Sequence, residues 1–187
     1  MVNLPEAPES MLIKILAGLI AVAAVLATVI AMQPSTFRIS RSAVIPGSPE
    51  VVFSQVNDFH KWQAWSPWAN LDPASKASFS GPSEGKGAAF QWSGNNEVGE
   101  GSMTITESHP YDRITIELVF LRPFQATNLT EFTFQPDGGG TVVTWTMSGS
   151  NSFMAKAMGL VVDCDKMIGG QFEKGLENLK PVVAKNP

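Results

Sequence analysis

The sequence is poor in the residues that build cross-links, metal centres and nucleic-acid surfaces. It has a single cysteine, Cys164, so no disulfide can form within the chain. Its two histidines, His60 and His109, are distant in sequence and supply fewer ligands than a zinc site needs. No lysine or arginine run occurs and the net charge is −4, which argues against a surface that follows nucleic-acid phosphates. We therefore predict no metal, no cofactor and no nucleic-acid partner.

Charge is also absent from one long segment near the N-terminus. Residues 15–32 (ILAGLIAVAAVLATVIAM) are uncharged and long enough to cross a bilayer as one tilted helix. A cleaved signal peptide is the alternative, although its apolar region is usually only about 7–15 residues long. The flanking charges are balanced, so they do not predict which side of the membrane holds the rest of the chain. The predicted organisation is a leader at 1–14, a membrane anchor or uncleaved signal at 15–32, a linker at 33–36 and a folded domain at 37–187.

Apolar and polar side chains alternate through almost all of residues 76–150, and loosely in the earlier segment TFRISRSAVI. One example is DRITIELVF, in which Ile114, Ile116, Leu118 and Phe120 fall on one side. This period of two is typical of half-buried antiparallel strands. Segments rich in glycine, proline, asparagine and aspartate separate the alternating stretches, as turns do. We predict about seven strands.

Two short helices are predicted directly after the first strand. In PGSPEVVF, Ser48 is a good N-cap and Pro49 suits the first helical position. The second helix contains HKWQAW and ends at the following Ser-Pro. Its spacing of three places Trp62 and Trp65 on one side. We predict that these two indoles fill the gap between the sheet and the terminal helix, and that Trp68 lies nearest an opening.

The chain is predicted to close on one long helix at residues 152–183, where apolar residues follow a three-and-four spacing. Gly169 and Gly170 mark a point at which this helix could bend, since glycine costs about 1 kcal/mol relative to alanine. A single helix is about 10 Å wide, whereas seven strands at nearly 5 Å spacing are far wider. The sheet is therefore expected to curl around the helix and to leave an internal cavity.

Four segments carry a resemblance to a known family: RSAVIPGSPEVVFSQVNDFHKWQAWSPW, GEGSMTITES, TVVTWTMSG and MGLVVDCDKMIGGQFEKGLENLK. Together with the element order, they resemble bacterial polyketide cyclase/dehydrase-like proteins of the START/Bet v 1-like, or helix-grip, superfamily. The resemblance covers residues 37–182. It implies an α+β fold in which a curved antiparallel sheet surrounds a long C-terminal helix. It also implies binding of lipids or other hydrophobic molecules, with catalysis in a minority of members and no catalytic motif that transfers to this chain.

The residues predicted to line the cavity are apolar and lie on the strands, after the second helix or on the terminal helix. They are Trp68, Phe90, Trp92, Met103, Ile116, Leu118, Phe134, Trp145, Met147, Met158, Val161 and Met167. Acid–base chemistry would need a buried carboxylate or imidazole, and the weak candidates are Asp165, His60 and Glu131.

The sequence favours one function and leaves two alternatives open. The favoured function is membrane-tethered binding of a hydrophobic small molecule or lipid in an internal cavity, without assigned catalysis. The first alternative is an enzyme of cyclase, dehydratase or hydrolase type that acts on a hydrophobic substrate. The second is a partner-interaction module, for which an exposed tryptophan patch and a solid interior would be the signs.

Overall fold

The structure is a computed structural model that describes residues 8–185. It divides into two units. One comprises the residues up to Ser35 together with Asn151–Val162, and the other comprises Thr36–Ser150 together with the chain from Asp163 onward. We call the first the N-terminal unit and the second the sheet unit.

The sheet unit is built on one antiparallel sheet, which holds seven strands within the described residues, as predicted. The strands are β1 (Thr36–Ile45), β2 (Lys76–Ser80), β3 (Ala89–Ser93), β4 (Glu100–His109), β5 (Arg113–Arg122), β6 (Ala126–Asp137) and β7 (Gly140–Ser150). Their order in space is β1-β7-β6-β5-β4-β3-β2. Strands β2 to β7 thus form a meander, and β1 joins it by pairing with the last strand.

The predicted alternation divides the sheet into two faces. On β5, Ile114 and Ile116 are fully buried, whereas Glu117 between the apolar positions is exposed. Their partners in register on β6, Phe132 and Thr130, are buried on the same side. We call this side the inner face.

Two short helices follow β1. Helix α2 (Pro49–Val56) starts as predicted, because the Ser48 hydroxyl accepts a hydrogen bond from the Val51 N–H at 3.5 Å. The second is a 3₁₀ helix at Phe59–Ala64, capped by Asp58, whose carboxylate accepts from the His60 N–H. Trp65 follows this helix as its C-cap, three residues after Trp62, and the rings of the two tryptophans lie 4.7 Å apart.

The long C-terminal helix, α4, spans Cys164–Ala184, so the predicted start near residue 152 is wrong. A separate short helix, α3 (Phe153–Met158), comes first and ends at Gly159. The chain then leaves the helical path until Asp163, whose carboxylate accepts from the Lys166 N–H at 3.0 Å and starts α4. Helix α4 runs without interruption through Gly169 and Gly170.

The core of the sheet unit is aromatic and lies between the inner face and α4. Trp145 of β7 stacks on Phe172 of α4 with ring centroids 4.3 Å apart, and Phe132 lies 4.7 Å from the same indole. Trp62 and Trp65 are 7% and 1% exposed and complete this cluster, as predicted. Their indole N–H groups donate to the backbone carbonyls of α2 residues, so burial leaves neither unsatisfied.

The N-terminal unit contains α1 (Pro8–Ala31) and α3. Within α1, Met11–Ala31 is apolar and long enough to cross a membrane by length and composition, a description that a signal sequence also fits. Two hydrogen bonds from Asn151 connect the segments of this unit. Its N–H donates to the Ser35 carbonyl at 2.8 Å, and its side-chain amide donates to the Pro34 carbonyl at 3.1 Å.

Candidate ligand-binding site

Part of the inner face is not covered by the core. Phe90 on β3, Met103 on β4 and Leu118 on β5 are partners in register, so they form a continuous row across three strands. All three are half-buried and pack against the edge of the core. They lie on the same face of the sheet as Ile116, which is fully buried, so the row is continuous with the apolar core.

Trp92 and Phe120 extend this row toward the end of the strands. The indole of Trp92 lies 6.0 Å from the Phe90 ring and 5.9 Å from the Phe120 ring. Its cross-strand partner is Gly101, at which a Cβ atom would meet the indole, so the missing side chain makes room for the ring. The Trp92 N–H donates to the Val98 carbonyl at 2.9 Å and fixes the ring's orientation. We call Phe90, Trp92, Met103, Leu118 and Phe120 the open face.

A concavity of about 280 Å³ adjoins the open face at the β2–β3 edge of the sheet. Phe59 and Phe79 both line it and both contact Phe90, with ring separations of 6.2 and 5.2 Å. We call this concavity the edge pocket. It adjoins the open face where Phe59 and Phe79 contact Phe90. The lining residues are Phe59, His60, Phe79, Ser80, Gly81, Pro82, Ser83, Ala88 and Ala89.

His60 is the polar group with a defined orientation in the edge pocket. Its ring stacks on Phe79 at 4.0 Å, and its Nδ1 lies 2.8 Å from a carboxylate oxygen of Asp58. A carboxylate only accepts hydrogen bonds, so Nδ1 carries a proton and Nε2 of the neutral ring is an acceptor. Within residues 8–185, Nε2 has no hydrogen-bond partner, which leaves it available to a ligand.

The other acid–base candidates lie elsewhere. Asp165 is exposed at the start of α4 and pairs with Arg41 of β1, with a closest N–O distance of 2.9 Å. The hydrogen bond from Arg41 lowers the pKa of Asp165, and the bonds to Asp165 and then Glu173 raise the pKa of Arg41. Glu131 is on β6, opposite Thr115 and Thr146 and on the outer side of the sheet. The structure therefore does not bring Asp165, His60 and Glu131 together.

The residues predicted to line a cavity fall into three groups. Phe90, Trp92, Met103 and Leu118 form most of the open face. Ile116, Phe134, Trp145 and Met147 are at most 6% exposed within the core, and Trp68 is half-buried with its ring 5.9 Å from that of Trp145. The remaining members are on or before α4. They are Met167, 57% exposed on α4, and Met158 and Val161, 41% and 86% exposed in the N-terminal unit.

Sequence reasoning missed the edge pocket. Phe59, in the 3₁₀ helix, and Phe79, in β2, were not among the predicted site residues, although both are aromatic. The residue that could have indicated this pocket is Phe79, an aromatic residue on the short edge strand β2, whose side chain is 44% exposed.

The sheet, the two short helices and α4 define a helix-grip domain. A sequence model of the family described as "polyketide cyclase / dehydrase and lipid transport" matches residues 36–184. The chain belongs to this family, as its resemblance to polyketide cyclase/dehydrase-like proteins predicted. No curated protein sequence matches the chain with significance.

Several solved structures share the fold at low sequence identity. A Chromobacterium violaceum protein is 16% identical with a TM-score of 0.56, covering 81% of this chain and 98% of its own. The Aha1 dimer from Colwellia psychrerythraea is 17% identical with a TM-score of 0.57, over 79% and 96%. A Staphylococcus aureus protein is 10% identical with a TM-score of 0.61, over 82% and 97%. At these identities the likeness establishes the fold alone.

Proposed function

We propose that this protein binds a hydrophobic small molecule or lipid on the open face and in the edge pocket, while α1 tethers it to a membrane. The observation that carries the proposal is the continuous half-buried row of Phe90, Met103 and Leu118. An apolar row on the core side of a sheet gains free energy when a ligand removes it from water. The description of the family, which includes lipid transport, supports the same class of ligand.

The size of the surface fits a ligand of modest size. The edge pocket, at about 280 Å³, is near the lower limit of small-molecule sites, which span roughly 300–1,000 Å³. Burial of about 300 Å² of apolar surface would contribute roughly 7 kcal/mol before the cost of association. We therefore expect a molecule with one part in the edge pocket and an apolar remainder along the open face.

The tether is supported by the composition of α1. Its segment Met11–Ala31 has the length and apolarity of a membrane span, and side chains along it, such as Leu19 and Val25, are more than 60% exposed. A helix that is apolar on all sides needs an apolar surrounding. A protein held at a bilayer meets hydrophobic molecules at the place where they concentrate.

A binding measurement with two variants of one strand tests the proposal. The full chain in lipid nanodiscs is titrated with a dansyl-labelled fatty acid, and the signal of empty nanodiscs is subtracted. Leu118→Gln places an amide in the open face, and we expect it to weaken binding about five- to tenfold, because a half-buried leucine contact contributes roughly 1 kcal/mol. The control Leu121→Gln changes the same residue type on the other side of β5, where Leu121 is 48% exposed.

The expected result is saturable binding that Leu118→Gln weakens and Leu121→Gln leaves unchanged. Binding that the two variants affect equally would contradict the location, and the absence of saturable binding would contradict the ligand-binding function itself. Trp62 and Trp65 are buried, so they do not form the exposed tryptophan patch that was one of the two signs of the interaction-module alternative.

One observation favours a second candidate function, that of an enzyme. His60 lines the edge pocket, and the Asp58 carboxylate holds its imidazole with Nε2 free beside an apolar surface, the arrangement of a general base. The test is hydrolysis of p-nitrophenyl decanoate by the full chain. An enzyme would lose about a hundredfold or more of its rate on His60→Gln and keep it on His109→Gln, a change at the other histidine. Equal rates in both variants, or no turnover above buffer, would contradict hydrolysis.

A further inference from the structure

The segment Asn151–Val162, which contains α3 and which we call the α3 segment, exposes an unusual amount of apolar surface. Six of its large side chains are 37–86% exposed: Phe153, Met154, Met158, Leu160, Val161 and Val162. An apolar patch of this density on a short segment indicates a contact surface. Because it lies in the N-terminal unit, the core of the sheet unit does not explain its composition.

The α3 segment is attached to the C-terminal end of α1. The Lys156 ammonium donates to the carbonyl of Ala31, the last residue of α1, at 3.3 Å. A cation at this position satisfies an unpaired carbonyl and complements the negative end of the helix dipole. Ala155 and Ala157 on either side of Lys156 are half-buried, so the segment turns its small residues inward and its large ones outward.

This attachment sets the depth at which the large side chains lie. If Met11–Ala31 crosses the hydrocarbon core, Ala31 is at its boundary with the polar headgroups. The α3 segment, hydrogen-bonded to Ala31, is at that same level. An apolar surface with a lysine beside it is the pattern of a segment that lies in the plane of the membrane interface.

We propose that the α3 segment is a second membrane contact, which inserts its apolar side chains among lipid headgroups beside the end of α1. This inference rests on the proposed tether and adds to it a particular partner surface, the lipid interface. The segment is covalently continuous with β7 on one side and α4 on the other.

Depth measurements by spin labelling test the inference on the full chain. In a Cys164→Ser background, single cysteines are introduced as Val161→Cys or Met154→Cys, both at exposed positions. The chains are reconstituted in nanodiscs of phosphatidylcholine and phosphatidylglycerol and labelled with a nitroxide. The measured quantity is the ratio of collision rates with oxygen, which partitions into lipid, and with a water-soluble nickel chelate. Leu19→Cys reports on α1, and Asn96→Cys, in an exposed loop, reports on water.

We expect the ratio at positions 154 and 161 to be several-fold above that at position 96 and below that at position 19. A water-like ratio at 154 and 161 with a lipid-like ratio at 19 would overturn the second contact and leave the tether intact. A water-like ratio at 19 would overturn the tether and the second contact together. Two labelled positions ensure that the conclusion does not depend on one variant being folded.

Discussion

At the scale of single residues, Trp65 ties the 3₁₀ helix to the rest of the core. Its ring lies within 6.3 Å of the rings of Phe132 and Trp145 as well as that of Trp62. Its N–H donates to the Gln55 carbonyl, and its own carbonyl accepts from the Asn178 amide of α4. The side chain therefore joins α2 and the sheet, and the backbone carbonyl of the same residue joins α4.

Removal of the Trp65 indole is expected to destabilise the folded state strongly. Trp65→Ala should reduce the free energy of unfolding by about 3–5 kcal/mol, because it leaves a cavity in a packed aromatic cluster. Trp68→Ala, at a half-buried position, is the matched control and should cost about 1–2 kcal/mol. The measurement is urea unfolding of the full chain in mild detergent, followed by the fluorescence of the remaining tryptophans. Equal losses in the two variants would contradict the role of Trp65 in the core.

The ion pair between Arg41 and Asp165 predicts a pH dependence. Because the hydrogen bond from Arg41 lowers the pKa of Asp165, this interaction stabilises the folded state above the unfolded pKa and is lost as pH falls through the folded pKa. Asp165→Asn should therefore lower the Tm at pH 7, and its difference from wild type should close below about pH 4.

The control for this prediction is Asp137→Asn. It removes another exposed carboxylate, at the end of β6, and should leave the Tm unchanged both at pH 7 and below about pH 4. Thermal melts of the three chains between pH 2.5 and 7 give the comparison. A Tm difference for Asp165→Asn that is the same at all pH values would contradict a contribution from the charged carboxylate.

At the scale of elements, two glycines of α4 distinguish the effect of helix propensity on stability from the effect of packing. A Cβ at Gly170 would meet nothing within 4 Å, whereas one at Gly175 would meet the Trp145 ring and Pro67. Gly170→Ala should therefore stabilise the protein by about 0.5–1 kcal/mol through helix propensity alone. Gly175→Ala gains the same propensity, but overpacking costs about 1–3 kcal/mol. We expect a net loss, measured by urea unfolding. Equal stabilisation by both changes would contradict close packing between α4 and the inner face.

The strands were predictable because each repeats a simple signal. Ile114, Ile116 and Leu118 alternate with polar residues, and the structure places them on one face of β5 as that period requires. The N-cap at Ser48 was predictable for a similar reason, since the hydroxyl, the proline and the acidic residue are adjacent in sequence. Local physical chemistry determines these features, so the sequence displays them directly.

The start of α4 was not predictable from spacing alone. Leu160 and Val161 continue the helical pattern of apolar residues, but both are exposed outside any helix. Under the inference above, they are apolar because they contact lipid, and a periodicity argument cannot distinguish lipid from core. Gly159 and Asp163 were the signals that opposed one continuous helix.

The candidate site was predictable in part. Phe90, Trp92, Met103 and Leu118 were placed on one face, and the strand register joins them. The edge pocket was not predicted, because Phe59 and Phe79 are twenty residues apart in sequence. They line one pocket only because the folded chain places the edge strand β2 beside the 3₁₀ helix. Contacts of this kind depend on tertiary geometry that no local pattern encodes.

At the scale of the whole molecule, three apolar surfaces have three different partners. The core surface of the sheet contacts α4, the open face is proposed to contact a ligand, and α1 with the α3 segment is proposed to contact lipid. In the sequence, the core surface, the open face and the α3 segment are all rich in apolar residues, and composition alone does not distinguish them. Their exposure separates them, from Ile116 at 0% to Val161 at 86%.

Photolabelling of the full chain in nanodiscs tests the central claim most directly. A fatty acid that carries a diazirine on its chain is bound, activated by light and located by mass spectrometry of peptides. We expect label on the peptides that contain Phe90, Met103 and Leu118, and we expect that label to be lost when unlabelled fatty acid is added in excess. Label confined to α1 and the α3 segment, unaffected by the competitor, would show that the chain meets lipids only as a membrane protein and would contradict a binding site on the open face.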